Sequence, residues 1–170
     1  CCESLQEFSQ IIQEDFESSF REMVQEVINQ NLASGILPVR PVILAGDDVC
    51  FISAGSIGLE CARIFLEKLS KKQINGENYA ACAGVAIVHR KYPFHLAYEL
   101  AEELCSSAKK FGAGLDEKSR ISAIDWHIEF GQLKDNLEEI RRDYITEDGN
   151  RLELRPLVVV KPEECKIDSV

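Results

Sequence analysis

The sequence predicts an α+β fold, and three observations carry that expectation. Long stretches with apolar residues every three or four positions alternate with short β-type runs. Two of those runs, Val42–Leu44 and Val49–Ile52, meet at a tight Gly46-Asp47-Asp48 element, and "YAACAGVAIVH" (residues 79–89) is apolar on both faces. With 170 residues, 45% hydrophobic and 28% charged, the chain can bury a real core, and we expect one domain spanning residues 1–170.

From Ser4 to Asn31 the residues Leu5, Phe8, Ile12, Phe16, Phe20, Val24, Val27 and Ile28 keep a helical period, with a Glu- and Gln-rich opposite face. Gly35, Pro38 and Pro41 break it. The two β-type runs that follow read as a hairpin, because Gly46 at the first central position suits the positive φ of a two-residue turn. A second helix carries Ile57, Cys61, Ile64, Phe65 and Leu69 and stops at "KKQINGEN".

The doubly apolar run around Val85 is expected to be a central strand covered on both faces rather than an edge facing water. Pro93 suits the start of a third helix with a buried stripe of Phe94, Ala97, Leu100, Ala101, Leu104 and Ala108. In "RISAIDWHIEF" the residues Ile124, Trp126 and Ile128 alternate with Asp125, His127 and Glu129, which predicts a half-exposed strand with Trp126 in the core. A charged helix over Leu137–Tyr144, a turn at Glu147–Asn150 and the strand "LELRPLVVV" complete the order. A hairpin joined through helices to further strands implies a ferredoxin-like sandwich of helices on an antiparallel sheet.

The formal charge of −10 opposes strong direct binding of nucleic acid or an anionic membrane by this domain alone. No apolar run approaches the ~20 residues that span a bilayer, so no membrane partner is expected. "CCESLQEFSQ" lacks the basic and apolar regions of a signal peptide, and the expected location is cytoplasmic. The seven cysteines form no C-x-x-C pair, and those inside apolar patterns read as reduced core residues.

Adjacent carboxylates at a hairpin tip suit hard cations such as Mg2+. Asp also belongs in turns for a structural reason, since its side chain caps nearby N–H groups. The joint occurrence, in order, of "AGDDV", "ACAGVAIVHRKYPF" and "SAKK" resembles the palm domain of the large catalytic subunit of type III CRISPR effector complexes. That family is a branch of the nucleotidyl cyclase and GGDEF superfamily. The likeness covers Pro41–Lys110 and extends more weakly to "SAIDWHI".

The resemblance implies a palm that holds two divalent ions, Mg2+ or Mn2+, and ATP, and transfers nucleotidyl groups to make linear or cyclic oligoadenylate in antiviral defence. It assigns metal binding and catalysis to Asp47 and Asp48. Nucleotide binding falls to Gly46 and Lys109, with Lys110 as a substitute. Lys109 also has a structural reading, as a solvated charge complementing a helix C-terminus. A relative acting on GTP fits less well, because its hairpin motif ends in Glu-Phe where this chain has Asp48-Val49.

Two departures shape a second expectation. Ala45 stands where the family's Gly-Gly-Asp-Asp motif has its first Gly, adding a Cβ where a nucleotide approaches the backbone. The family also places an acid-bearing strand before its first long helix. The chain is therefore expected to be a fragment of a larger protein that supplies this strand. The alternative is a degenerate palm that docks on another palm or on subunits of a CRISPR ribonucleoprotein. His89 reads as a hydrogen-bonded rim residue, and the acids Glu138, Glu139 and Asp143 as a solvated helix face.

Overall fold

The elements follow the expected order with one addition. The computed structural model describes residues 2–30, 39–115, 121–129 and 136–160, and the chain divides into two compact units, Cys1–Ala81 and Cys82–Val170. Gly35 and Pro38, expected to break the first helix, lie outside the described residues.

The first unit contains helix α1 (Cys2–Asn29), strands β1 (Val39–Ala45) and β2 (Asp48–Ser53), helix α2 (Gly58–Leu69), and the short strands β3 (Gln73–Ile74) and β4 (Glu77–Asn78). Helix α1 buries Phe16, Phe20, Met23 and Val27, whereas Leu5, Phe8 and Ile28 of the expected stripe are exposed. Phe16 is the hub, with its ring edge-on to Phe65 of α2 at 6.1 Å and to Tyr79 at 5.8 Å. Phe20 packs against Phe51 of β2 at 5.7 Å, tying helix to hairpin. All five residues expected to line α2, namely Ile57, Cys61, Ile64, Phe65 and Leu69, are buried. Ion pairs of Glu26 with Lys68 and of Glu22 with Lys72 rim the α1–α2 seam.

Two polar groups, the buried Ser19 and the half-buried Tyr79, are satisfied within this unit. Ser19 donates from Oγ to the Asp15 carbonyl at 2.7 Å, the back-bond of a helical serine. Tyr79 donates from its hydroxyl to the Asp15 carboxylate at 3.0 Å, and burial pushes the phenol up to about 12. The added hairpin β3–β4 sits inside "KKQINGEN". Asn75 and Gly76 take φ of 53° and 81°, the two positive values a type I′ turn demands.

The second unit contains strand β5 (Cys82–Ile87), helix α3 (Phe94–Leu115), strand β6 (Ser122–Ile128), helix α4 (Leu137–Arg142) and strand β7 (Leu157–Val160). Its sheet has the order β5-β6-β7. Strands β5 and β6 run parallel, with α3 as the crossover, and only β6–β7 is antiparallel. The expectation of an antiparallel sheet therefore fails here, since a parallel pair needs a helix-length connection and α3 supplies it. The expectation of a central position for β5 fails as well. Among the described residues it pairs with β6 alone and is an edge, half-buried along its whole length.

The half-exposed reading of β6 is also corrected. Ser122, Ala123, Ile124, Asp125 and His127 are buried, while Ile128 is exposed. The centre of a three-stranded sheet is covered on both faces, so the polar positions of the alternation go inside as well. Helix α3 runs past the expected Ala108-Lys109 end to Leu115, and buries Leu100, Leu104, Ala108 and Gly112. Leu100 and Leu104 cluster with Leu137 and Ile140 of α4, and Ala86 and Tyr144 pack against them. Asn136 caps α4, accepting from the Glu139 amide at 2.9 Å. The last strand is shorter than expected, because it begins only after Pro156.

Gly84 sets how close α3 comes to β5. A Cβ there would lie 2.0 Å from the Ala101 carbonyl oxygen and 2.4 Å from the Cys105 amide nitrogen, both backbone atoms. Gly84→Ala should therefore cost at least the ~1–3 kcal/mol of an overpacked core. Gly114→Ala, on α3 itself but facing open space, should be neutral or stabilise by up to ~1 kcal/mol. Urea unfolding of the two variants beside the parent checks the contrast, and equal effects would contradict it.

Candidate functional site

The hairpin forms the tip that the sequence predicts. Ala45 pairs with Asp48, leaving Gly46 and Asp47 as the two-residue loop. Gly46 has φ of 61° and Asp47 is not among the positive-φ residues, the pattern of a type II′ turn. A Cβ on Gly46 would meet nothing within 4 Å, so the demand for glycine is conformational rather than steric. A register shift between Pro41 and Ile43 adds a bulge lower on β1.

Asp47 in the turn and Asp48 at the head of β2 are both exposed, as is Ala45 opposite Asp48. Carboxylates so placed are open to a ligand from solvent. Among the described residues no group of three or more His, Cys, Asp or Glu side chains is arranged to hold a metal ion. The pair thus offers two hard oxygen donors, fitting an ion that completes its shell with water and phosphate oxygens.

Asp47 and Asp48 belong to the first unit, and Lys109 and Lys110 to the second. Both lysines are exposed on α3. The helix continues to Leu115, and its last turn carries no basic residue. Lys109 therefore lies too far from the C-terminus to serve the helix dipole, and its structural reading weakens. Its charge acts on the thiols of Cys82 and Cys105, which burial nonetheless pushes above the ordinary range.

Of the described cysteines Cys61 is a core residue, and Cys50, Cys82 and Cys105 are half-buried. Cys61 is fully buried, with its thiol pushed up to about 11 by desolvation, and Cys50, Cys61, Cys82 and Cys105 are all unbridged. His89 sits in the turn that leaves β5. Its carbonyl accepts from Tyr92 N at 2.8 Å and its Nδ1 from Lys91 N at 3.3 Å, a rim role as expected. Glu138, Glu139 and Asp143 are exposed on and just after α4.

The largest surprise is a buried ionic cluster in the second unit. Asp125, fully buried, receives Arg141 from α4 at 2.5 and 2.6 Å. Arg141 Nε also lies 3.5 Å from Glu153, whose other carboxylate oxygen accepts from Arg155 Nε at 2.7 Å. Arg155 in turn donates to the Trp126 carbonyl and lies over the rings of Trp126 and Tyr144, at 5.9 and 5.1 Å from their centroids. Alternation along β6 places Asp125 and His127 on the opposite face from Trp126, and Asp125 finds its ionic partner outside the strand. The partners come from α4 and from residues 153–155, distant in sequence. A signal was present, since Asp and His at buried positions of a strand require partners.

No helix among the described residues is long and apolar enough to cross a membrane. Comparison with protein-family models and with curated proteins finds no match.

Two outcomes separate structural acids from ligand-binding ones. Removing Arg141 as Arg141→Met strands the Asp125 charge in the interior and should cost ~3–5 kcal/mol in urea unfolding. Asp47→Asn and Asp48→Asn, at exposed positions, should each stay within ~0.5 kcal/mol of the parent. A large loss in either hairpin variant would show that those acids support the fold.

Proposed function

We propose that this chain is a ferredoxin-like palm that binds ATP with Mg2+ or Mn2+ and, in the full protein, carries out nucleotidyl transfer to linear or cyclic oligoadenylate. The observation that carries this reading is the exposed Asp47-Asp48 pair at a turn led by Gly46. It is followed in chain order by β5 with its "HRKYPF" exit and by Ala108-Lys109 on α3. A magnesium-sized ion takes one or two carboxylates and fills its remaining positions with water and substrate phosphate, the demand two adjacent acids can meet.

When bound, such an ion supplies acidity to an attacking 3′-hydroxyl and stabilises charge on the phosphoryl oxygens. The chain's own residues orient the reactants. Asp47 and Asp48 offer carboxylate oxygens and Gly46 leaves the backbone at the turn open to a phosphate, while the family resemblance assigns triphosphate binding to Lys109 or Lys110. Strand β5 also supports the reading. Among the described residues its outer edge pairs with no strand and carries no charge, proline or bulge, the protections that edge strands otherwise show. In the palm family a further acid-bearing strand completes the sheet.

Two observations favour a second reading, in which the palm is silent and serves to assemble a CRISPR ribonucleoprotein. Ala45 adds a Cβ at the tip beside Asp48, and a third acid is missing from the metal-ligand groupings of the described residues. Calorimetric titration of ATP with Mn2+ into the full-length protein separates the two. We expect heat of binding in the parent that disappears when Asp47→Asn and Asp48→Asn are combined. No heat, or the same heat in the double variant, would overturn the nucleotide-binding reading.

A further inference from the structure

The segment Leu152–Pro156 is held in a way opposite to the usual rule for a chain lying on a core. Its leucines face outward, Leu152 at 67% and Leu154 at 90% exposure. Its charged side chains face inward, Glu153 at 6% and Arg155 at 10%. Besides the backbone bond from Leu152 N to the Tyr144 carbonyl at 2.8 Å, it is fastened by ion pairs, a guanidinium hydrogen bond and cation–π contacts. They are Arg141 and Arg155 on Glu153, and Arg155 on the Trp126 carbonyl and the Trp126 and Tyr144 rings. Such a clasp responds to any new charge placed beside it.

His127 is the residue able to place one there. It is buried on β6, its Nε2 lies 3.6 Å from Glu129, and its Nδ1 has no hydrogen-bond partner. As a neutral ring with the proton on Nε2 it leaves only a bare acceptor at Nδ1. As an imidazolium it would carry a second N–H with nothing to receive it.

We propose that His127 is the trigger of an acid-sensitive latch: neutral, it lets the Arg155 clasp hold Leu152–Pro156 against β6, and protonated, it drives the clasp open. The charged and titratable groups around it come from every neighbouring element. Strand β6 contributes Asp125 and is followed directly by Glu129, α4 contributes Arg141, and the segment itself contributes Glu153 and Arg155. Tyr92, after β5, couples to Glu129. From α3 comes Glu103, whose carboxylate is engaged by the Leu137 amide at 2.7 Å, while the β5 residue in register with His127 is Ala86.

Glu129 favours the proton, but burial and then the Arg155 and Arg141 guanidiniums oppose it, and the net effect holds the His127 ring below the ordinary histidine range. A depressed histidine pKa in the closed state means that the open state binds the proton more readily. The latch is therefore secure above pH ~6.5, the ordinary histidine value, and weakens as the pH falls below it. The open fraction rises by up to about tenfold per pH unit until the depressed value is reached.

Trp126 is the chain's only tryptophan and sits under Arg155, so its fluorescence reports the clasp. Between pH 8 and pH 5 its emission should change with a midpoint below 6.5. The change should vanish in His127→Gln and persist in His89→Gln and His95→Gln, the other two histidines. A parallel NMR titration of the parent follows the His127 ring directly, so the test stands even where His127→Gln does not fold. A His127 ring that titrates at or above the ordinary value, an emission change that does not follow its titration, or a transition that survives in folded His127→Gln would overturn the latch.

Discussion

The second unit depends on the absence of a side chain at Gly84. With no Cβ there, the backbone of α3 at Ala101 and Cys105 settles directly on β5. That contact fixes α3 as the crossover between two parallel strands, with Gly84 in register with Asp125 on β6. The same close seat brings Leu100 and Leu104 over Ala86, where Leu137 and Ile140 of α4 complete the cluster. A larger residue would lift the helix and open every layer above it.

Charge is used inside this unit as well as on its surface. The Asp125–Arg141 pair is stacked onto α3 through Arg141 and Ser107 at 3.3 Å, so it links strand, crossover and α4. A buried pair of this kind adds little net stability over an apolar substitute, but it punishes the loss of either partner. It thereby selects one arrangement of α4 on the sheet. The Glu153–Arg155 clasp extends the scheme to a stretch whose leucines point to solvent.

The hairpin of the first unit is a different kind of feature. Its acids bear no weight in the fold: they are exposed, at a turn whose geometry is met by Gly46 alone. Acids that the fold does not use and solvent can reach are available for a ligand, and this gives the nucleotide-binding proposal its physical footing. Lys109 shares that availability, placed on the body of α3 instead of at its end.

Much was determined by local chemistry and could be read directly. The period of α1 and α2, the Gly46 turn, the start of α3 after Pro93 and the turn around Gly149 follow from residue types within a few positions of one another. The Asn75-Gly76 hairpin was legible in the same way, in an Asn-Gly pair that also ends a helix. The tertiary structure alone decided the direction and place of β5, the burial of Asp125 and His127, and the inward turn of Glu153 and Arg155. Strand alternation names two faces but not which is covered, and a charge goes inside only when a partner distant in sequence arrives to meet it. For the candidate site the division is the same: residue order made Asp47 and Asp48 visible, while their exposure at a turn that needs neither of them was settled by the fold.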